Sequence, residues 1–94
     1  MKFQETKLKG SYLIDHENYK DGRGSFERIF CQKTFQFFLK KKNIRQINCS
    51  FTKKEGTVRG LHFQYPPYAE IKIVSCLKGK VWDVAIDIRE GSPT

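Results

Sequence analysis

From Arg45 onward the chain runs in short segments of alternating polar and apolar residues, with glycine or proline between them. A period of two places successive side chains on opposite faces of a β-strand, so this pattern predicts antiparallel strands. The first is Arg45-Gln46-Ile47-Asn48-Cys49-Ser50-Phe51, in which Gln46, Asn48 and Ser50 share one face. That row of polar side chains is either a solvated surface or the floor of a polar pocket. Glu55-Gly56 supplies a turn into Val58-Arg59-Gly60-Leu61-His62-Phe63-Gln64, and Tyr65-Pro66-Pro67-Tyr68 forces a loop. Two further runs, residues 70–76 and 80–88, are joined through Lys78-Gly79-Lys80, a hairpin signal.

The first half reads differently. Ser11-Tyr12-Leu13-Ile14 is a short strand-like run, Lys20-Asp21-Gly22-Arg23-Gly24-Ser25 is a turn that holds Arg23 between two glycines, and residues 25–31 again resemble a strand. The period then changes, with Phe35, Phe38 and Leu39 at i, i+3 and i+4 behind Thr34 as a cap. The fold class expected is all-β, a sandwich or jelly roll, with one short helix near residues 34–42. A jelly roll needs about eight strands. Five or six are legible here, so residues 1–94 are expected to form a single partial domain whose sheets are completed by further strands or by partner chains.

Ninety-four residues make one small domain that buries a modest share of its surface, and a partner subunit would help it. No apolar run approaches the roughly twenty residues of a membrane span, and the N-terminus has no signal-peptide pattern. A soluble, cytoplasmic protein without membrane partners is expected. Cys31, Cys49 and Cys76 are odd in number, lack a Cys-x-x-Cys spacing and sit in strand-like runs, so three reduced, buried thiols are expected. The net charge of +8 invites a nucleic-acid reading. Yet the lysines are dispersed, and the one tight run, Lys40-Lys41-Lys42, closes the helix, where cations suit the dipole. The expectation is therefore no nucleic-acid partner, with a general attraction for anionic ligands such as a diphosphate left open.

Three ionisable residues can meet on one face if the strands pair antiparallel: His62, Lys72 and Asp83. His62 shares its strand face with Gly60, which has no side chain, and with the neutral amide of Gln64, so a ligand has room to approach. A carboxylate on an imidazole raises its basicity and fixes its tautomer, and a neighbouring lysine stabilises an oxyanion. Together these groups suit removal of a proton beside a carbonyl, with the cation holding the enolate that develops. That chemistry needs no cofactor. The plainer alternatives are a hydrogen-bonded structural His62 and an ordinary Lys72–Asp83 salt bridge. A metal site is not expected, because His16 lies in a loop and no cluster supplies three protein ligands.

These residues, taken in order, resemble a known family. Asp21-x-Arg23-Gly24-x-Phe26, Gln46-x-Asn48-x-Ser50, the block from Val58 to Gln64, Lys72, and Gly79-x-Val81-x-Asp83 continuing to Thr94 are similar to the first half of the dTDP-4-dehydrorhamnose 3,5-epimerases. The resemblance implies a cupin-type jelly roll, a homodimer with exchanged N-terminal strands, and a place in dTDP-rhamnose biosynthesis. The implied substrate is dTDP-4-dehydro-6-deoxy-D-glucose, inverted at the two carbons flanking its ketone. It also implies His62 as proton acceptor, Asp83 as its orienting partner and Lys72 as the enolate-stabilising cation. Arg59 is implied as a phosphate contact, Gln46 and Asn48 as nucleotide-sugar contacts, and Arg23 and Phe26 as nucleotide contacts across the dimer.

Two departures stand out. Arg28 occupies a position where the family commonly has Glu, and the family's proton-donor tyrosine, a second pocket His and its closing strands belong to the second half. Alternatives with the same base are a 3-epimerase, a 5-epimerase or a ketoisomerase acting on another dTDP-keto sugar. A catalytically incompetent module that binds nucleotide sugars is the alternative from a different class.

Overall fold

The computed structural model describes residues 1–93; Thr94, which ends the Gly91-Ser92-Pro93-Thr94 motif, lies outside them. Two antiparallel hairpins and a helix carry the regular structure. Strand β1 (Lys2–Glu5) pairs with β2 (Tyr12–Asp15), placing Phe3 opposite Ile14 and Glu5 opposite Tyr12. The connecting turn is closed by the Thr6 N–H donating to the Ser11 carbonyl at 2.8 Å and the Ser11 N–H to the Leu8 carbonyl at 3.0 Å.

Strand β3 (Asn18–Asp21) pairs with β4 (Gly24–Glu27), with Tyr19 opposite Phe26. The expected turn forms here as a two-residue loop, Gly22-Arg23. Asp21 holds it by accepting both the Arg23 backbone N–H and its guanidinium, each at 2.8 Å. Gly24 enters β4 at φ 142, a conformation that a side chain would resist. His16, in the link between β2 and β3, donates from Nδ1 to the Arg28 carbonyl at 3.0 Å, which ties that link to the chain beyond β4.

The helix α1 (Gln32–Leu39) begins two residues earlier than Thr34 and ends before the three lysines. Its cap is Cys31 in extended conformation. Thr34 instead lies inside the first turn, where its hydroxyl donates back to the Cys31 carbonyl at 3.1 Å. The helix closes at Lys40, whose φ of 55 lets its N–H reach the Gln36 carbonyl at 2.7 Å.

The core lies between α1 and the first hairpin. Phe35 is wholly buried and Leu39 nearly so. Phe3 meets Phe35 and Phe37 edge-on with ring centroids 5.2 and 5.0 Å apart, Tyr12 meets Phe37 at 5.2 Å, and Phe30 closes on Phe35 at 4.8 Å. Edge-to-face pairs of this kind add about 0.5–1.5 kcal/mol each beyond their buried area. The helical spacing of Phe35, Phe38 and Leu39 thus becomes the face that docks on Phe3 and Tyr12.

The strands predicted at 45–51, 58–64, 70–76 and 80–88 do not form; among the described residues no regular element follows Leu39. Turns between the first three are present, with the Thr57 N–H donating to the Lys54 carbonyl and the Tyr68 N–H to the Tyr65 carbonyl, and a further turn follows the last run, where the Ser92 N–H donates to the Arg89 carbonyl. Lys78-Gly79-Lys80 is a bend rather than a hairpin, with Gly79 at φ 85. The reason is physical: a strand is held by a neighbour that takes up its N–H and C=O groups and by a layer that covers its apolar face. Neither is met along this stretch, where Ile47 is 86 % and Trp82 91 % exposed. The ladders that do form join sequence neighbours, whose loops are the shortest to close. The regular structure is therefore mainly β with one short helix.

All three cysteines are free, Cys31 half-buried. Cys49 and Cys76 are exposed, against the expectation of burial, because the runs that hold them are not covered by a sheet. No described helix is long and apolar enough to cross a membrane.

Candidate functional site

His62 stands two residues beyond Gly60, which adopts φ 101. A Cβ built on Gly60 would lie 3.5 Å from His62 Nδ1. A side chain at Gly60 would therefore come into van der Waals contact with that flank of the imidazole; the strand alternation expected for Gly60, His62 and Gln64 is not formed. Leu61 and Phe63 are exposed beside it, and Phe63 meets Tyr65 edge-on at 4.9 Å.

Lys72 pairs with Glu70 across 3.6 Å, not with Asp83. Glu70 also reaches toward the His62 segment. With the Gln64 amide oriented so that its nitrogen faces acceptors, that nitrogen donates to Glu70 Oε1 at 3.0 Å and to the Tyr68 carbonyl at 3.2 Å. Glu70 therefore bridges Gln64 and Lys72, and so links the stretch carrying the candidate base to the stretch carrying the candidate cation. Sequence reasoning missed Glu70. The available signal was its place two residues before Lys72, on the same face of an alternating run.

Asp83 is exposed, and among the described residues no hydrogen bond or ion pair joins it to His62 or Lys72. The structure thus connects Lys72 to the neighbourhood of His62 through Glu70 and leaves Asp83 apart. Arg59 donates from Nη2 to the Phe51 carbonyl at 3.4 Å, which draws the 58–64 segment toward the end of the 45–51 segment. Gln46 and Asn48, farther along that segment, are exposed.

Arg23 and Phe26 lie on the second hairpin. Arg23 is at the tip of the β3–β4 loop with its guanidinium held by Asp21, and that hydrogen bond is the chief reason the Asp21 carboxyl lies below its ordinary range. Phe26 is 65 % exposed on β4. Among the described residues, no cluster of three or more His, Cys, Asp and Glu side chains is placed to hold a metal ion.

The described elements place the chain in the mainly β class, with an open-sided imidazole, a carboxylate-held lysine and exposed arginines on its irregular half. Comparison with known proteins is more specific. Residues 5–94 match the family pattern described as dTDP-4-dehydrorhamnose 3,5-epimerase. Proteins of that name from Sinorhizobium fredii, Mycobacterium tuberculosis and Shigella flexneri are 42 %, 40 % and 41 % identical to this chain. The aligned regions cover 100 %, 100 % and 96 % of the chain and 48 %, 46 % and 50 % of those proteins, respectively. The chain belongs to the dTDP-4-dehydrorhamnose 3,5-epimerase family, and it spans about half the length of the curated relatives it matches. No solved structure matches it.

Proposed function

We propose that this chain carries the proton-abstracting part of an epimerase acting on dTDP-4-dehydro-6-deoxy-D-glucose, in the formation of dTDP-4-dehydro-L-rhamnose. The observation that carries the reading is the family match over residues 5–94, within which Arg59-Gly60-Leu61-His62-Phe63-Gln64 presents an imidazole with one open flank. His62 takes the proton from a carbon beside the ketone, and the electron pair left behind moves onto the ketone oxygen as an enolate. Lys72, oriented by Glu70, places its ammonium on that oxygen. Asp83 holds the imidazole in the tautomer that accepts a proton once the segments carrying them pair. Return of a proton to the opposite face of the same carbon completes the inversion, and no redox step is involved.

Arg59 contacts phosphate, Gln46 and Asn48 bind the nucleotide sugar, and Arg23 and Phe26 reach the nucleotide. In the working assembly, residues 1–94 form part of a cupin jelly roll that dimerises by exchanging N-terminal strands. Pairing in that assembly supplies the partners that residues 45–88 lack here.

A second reading is that the 94-residue chain binds the nucleotide sugar without turning it over. The absence of any bond joining Asp83 to His62 or Lys72 among the described residues favours it.

The deciding experiment is solvent deuterium incorporation into dTDP-4-dehydro-6-deoxy-D-glucose, followed by NMR, with this chain and with His62→Ala. Incorporation beside the ketone that disappears in the variant supports the proposal. Equal incorporation by both proteins would show that another base operates, and none above background favours the binding-only reading.

A further inference from the structure

Although lysines are dispersed along the chain, the excess of positive over negative charge falls in one stretch. Residues 28–54 contain eight cations, Arg28, Lys33, Lys40, Lys41, Lys42, Arg45, Lys53 and Lys54, and no Asp or Glu. Outside this stretch the ten remaining lysines and arginines are balanced by ten carboxylates, so the whole net charge resides in one segment. Every ion pair among the described residues lies elsewhere, at Met1–Glu17, Arg23–Asp21, Lys72–Glu70 and Arg89–Asp87. All eight cations of the segment are exposed.

Three of them converge on one place. Lys40, Lys41 and Lys42 line a surface hollow of about 480 Å³, together with Phe38, Leu39 and Ile71. Lys40 is set there by its φ of 55, and Lys42 by its N–H donating to the Leu39 carbonyl at 2.8 Å, so the lysines follow a turn with defined hydrogen bonds. The far wall, Ile71, is the residue immediately before Lys72. A basic concavity without internal counter-charge concentrates anions, and its effect is strongest where charges of one sign converge.

We infer that this hollow is a capture site for the diphosphate group of the substrate, an outer station that draws a nucleoside diphosphate toward Lys72. The inference rests on the proposed epimerase function for the identity of the substrate, but not for the presence of the anion site. Charge and geometry together select it. A diphosphate carries two or more negative charges on a group small enough for the hollow, and Lys40–Lys42 supply three cationic side chains among the residues that line it.

The test is a titration of the ¹⁵N-labelled chain with inorganic pyrophosphate, read from backbone amide shifts. Shifts centred on residues 40–45 and Ile71 are expected. The association constant should fall about tenfold from about 0.01 to 0.1 M salt, as the screening length shortens from about 30 to about 10 Å. Two variants of equal net charge separate a site from general attraction: Lys40→Gln/Lys41→Gln/Lys42→Gln, and Lys7→Gln/Lys9→Gln/Lys20→Gln. The first should abolish the local shifts and the second preserve them. Thymidine should leave the hollow unchanged, and dTDP should reproduce the pyrophosphate shifts.

Equal losses in both variants, shifts scattered over all the lysines, or a response to thymidine would overturn the inference. So would an unresponsive hollow in a chain that nevertheless binds a single-stranded oligonucleotide, which would assign the basic segment to nucleic acid. Deuterium exchange reads the epimerase proposal separately. Its absence beside intact pyrophosphate binding would overturn that proposal and leave the anion site standing, and the reverse pairing would overturn the anion site alone.

Discussion

Arg89 grips Asp87 with two hydrogen bonds, Nε to Oδ1 at 2.8 Å and Nη2 to Oδ2 at 2.7 Å, and the same Nη2 donates to the Lys9 carbonyl at 2.7 Å. The contact spans nearly the whole chain and fastens the 87–92 turn to the β1–β2 connection. Hydrogen bonding to Arg89, then to Ser92, holds the Asp87 carboxyl far below its ordinary value. A carboxyl lowered in the folded state adds stability above its unfolded value, and that contribution is lost as pH falls through the folded one. The clasp should therefore survive moderate acid and open only well below pH 3.8, the ordinary value for the group. Arg89→Ala should open it at every pH. The check is amide hydrogen exchange at residues 8–11, faster in the variant at neutral pH and unchanged if Lys9 is held by other means.

Among the described residues Phe35 is the one large side chain that is completely buried, and it touches Phe3, Phe30 and Phe38. Phe35→Ala should cost about 3–5 kcal/mol, the usual loss for a buried phenylalanine, and release α1 from the first hairpin. Trp82, 91 % exposed, offers the contrast. Trp82→Ala should stay within about 0.5 kcal/mol of the parent, as surface changes do. Urea unfolding followed by circular dichroism measures both, and a costly Trp82→Ala would mean that the indole is covered in solution.

Local features were legible in the sequence because local physics decides them. The Asp21–Gly24 turn followed from its glycines, while the Asp21 bonds to Arg23 that hold it appear only in the structure. The helix followed from the spacing of Phe35, Phe38 and Leu39. Its start was misplaced because Thr34 looked like a cap, whereas its hydroxyl bonds back to Cys31 from inside the first turn. Strand β1 went unseen because Lys2-Phe3-Gln4-Glu5 has a single apolar residue; its pairing with β2 and the seating of Phe3 on Phe35 define it. The runs after Arg45 have the period of strands, yet period alone cannot supply a neighbour. At the candidate site, the Glu70 bridge needed coordinates because it joins two separate segments.

Under the proposed function, Glu70 would position Lys72, with which it forms an ion pair, rather than touch substrate. Glu70→Gln removes the ion pair with Lys72 while keeping a side chain that can still bond Gln64. In the assembled enzyme, the variant should lower kcat several-fold and leave KM nearly unchanged, since a misplaced cation weakens enolate stabilisation more than substrate binding. Steady-state kinetics provides the check, and an effect confined to KM would assign Glu70 to binding.

A side chain at Gly60 should be costly because of its backbone conformation. At φ 101, Gly60→Ala places a Cβ in a strained backbone region, at a cost of about 1–3 kcal/mol. It also sets that methyl 3.5 Å from His62 Nδ1. Deuterium incorporation dependent on His62 should fall with the added methyl, and the imidazole resonances should shift even where the fold is retained. Unaltered His62 resonances in Gly60→Ala would show that this flank of the ring is not the one left open.

Cys31 should stay reactive as thiolate to lower pH than an ordinary thiol. The Thr34 backbone N–H, then the Thr34 hydroxyl, hold its thiol below the ordinary value; burial opposes them, and the Lys33 N–H and the Arg28 charge assist. A lowered value means more thiolate at neutral pH, and the thiolate is the nucleophile. The midpoint of Cys31 alkylation against pH should thus lie below that of an unstructured peptide with the same residues. Thr34→Ala removes only the hydroxyl, so it should raise the midpoint part of the way, because the backbone N–H stays in place. Mass-spectrometric alkylation profiles of the two proteins decide the matter: coincident midpoints would mean that the hydroxyl does not reach the sulfur, and a midpoint equal to that of the peptide would mean that the helix start does not form around Cys31.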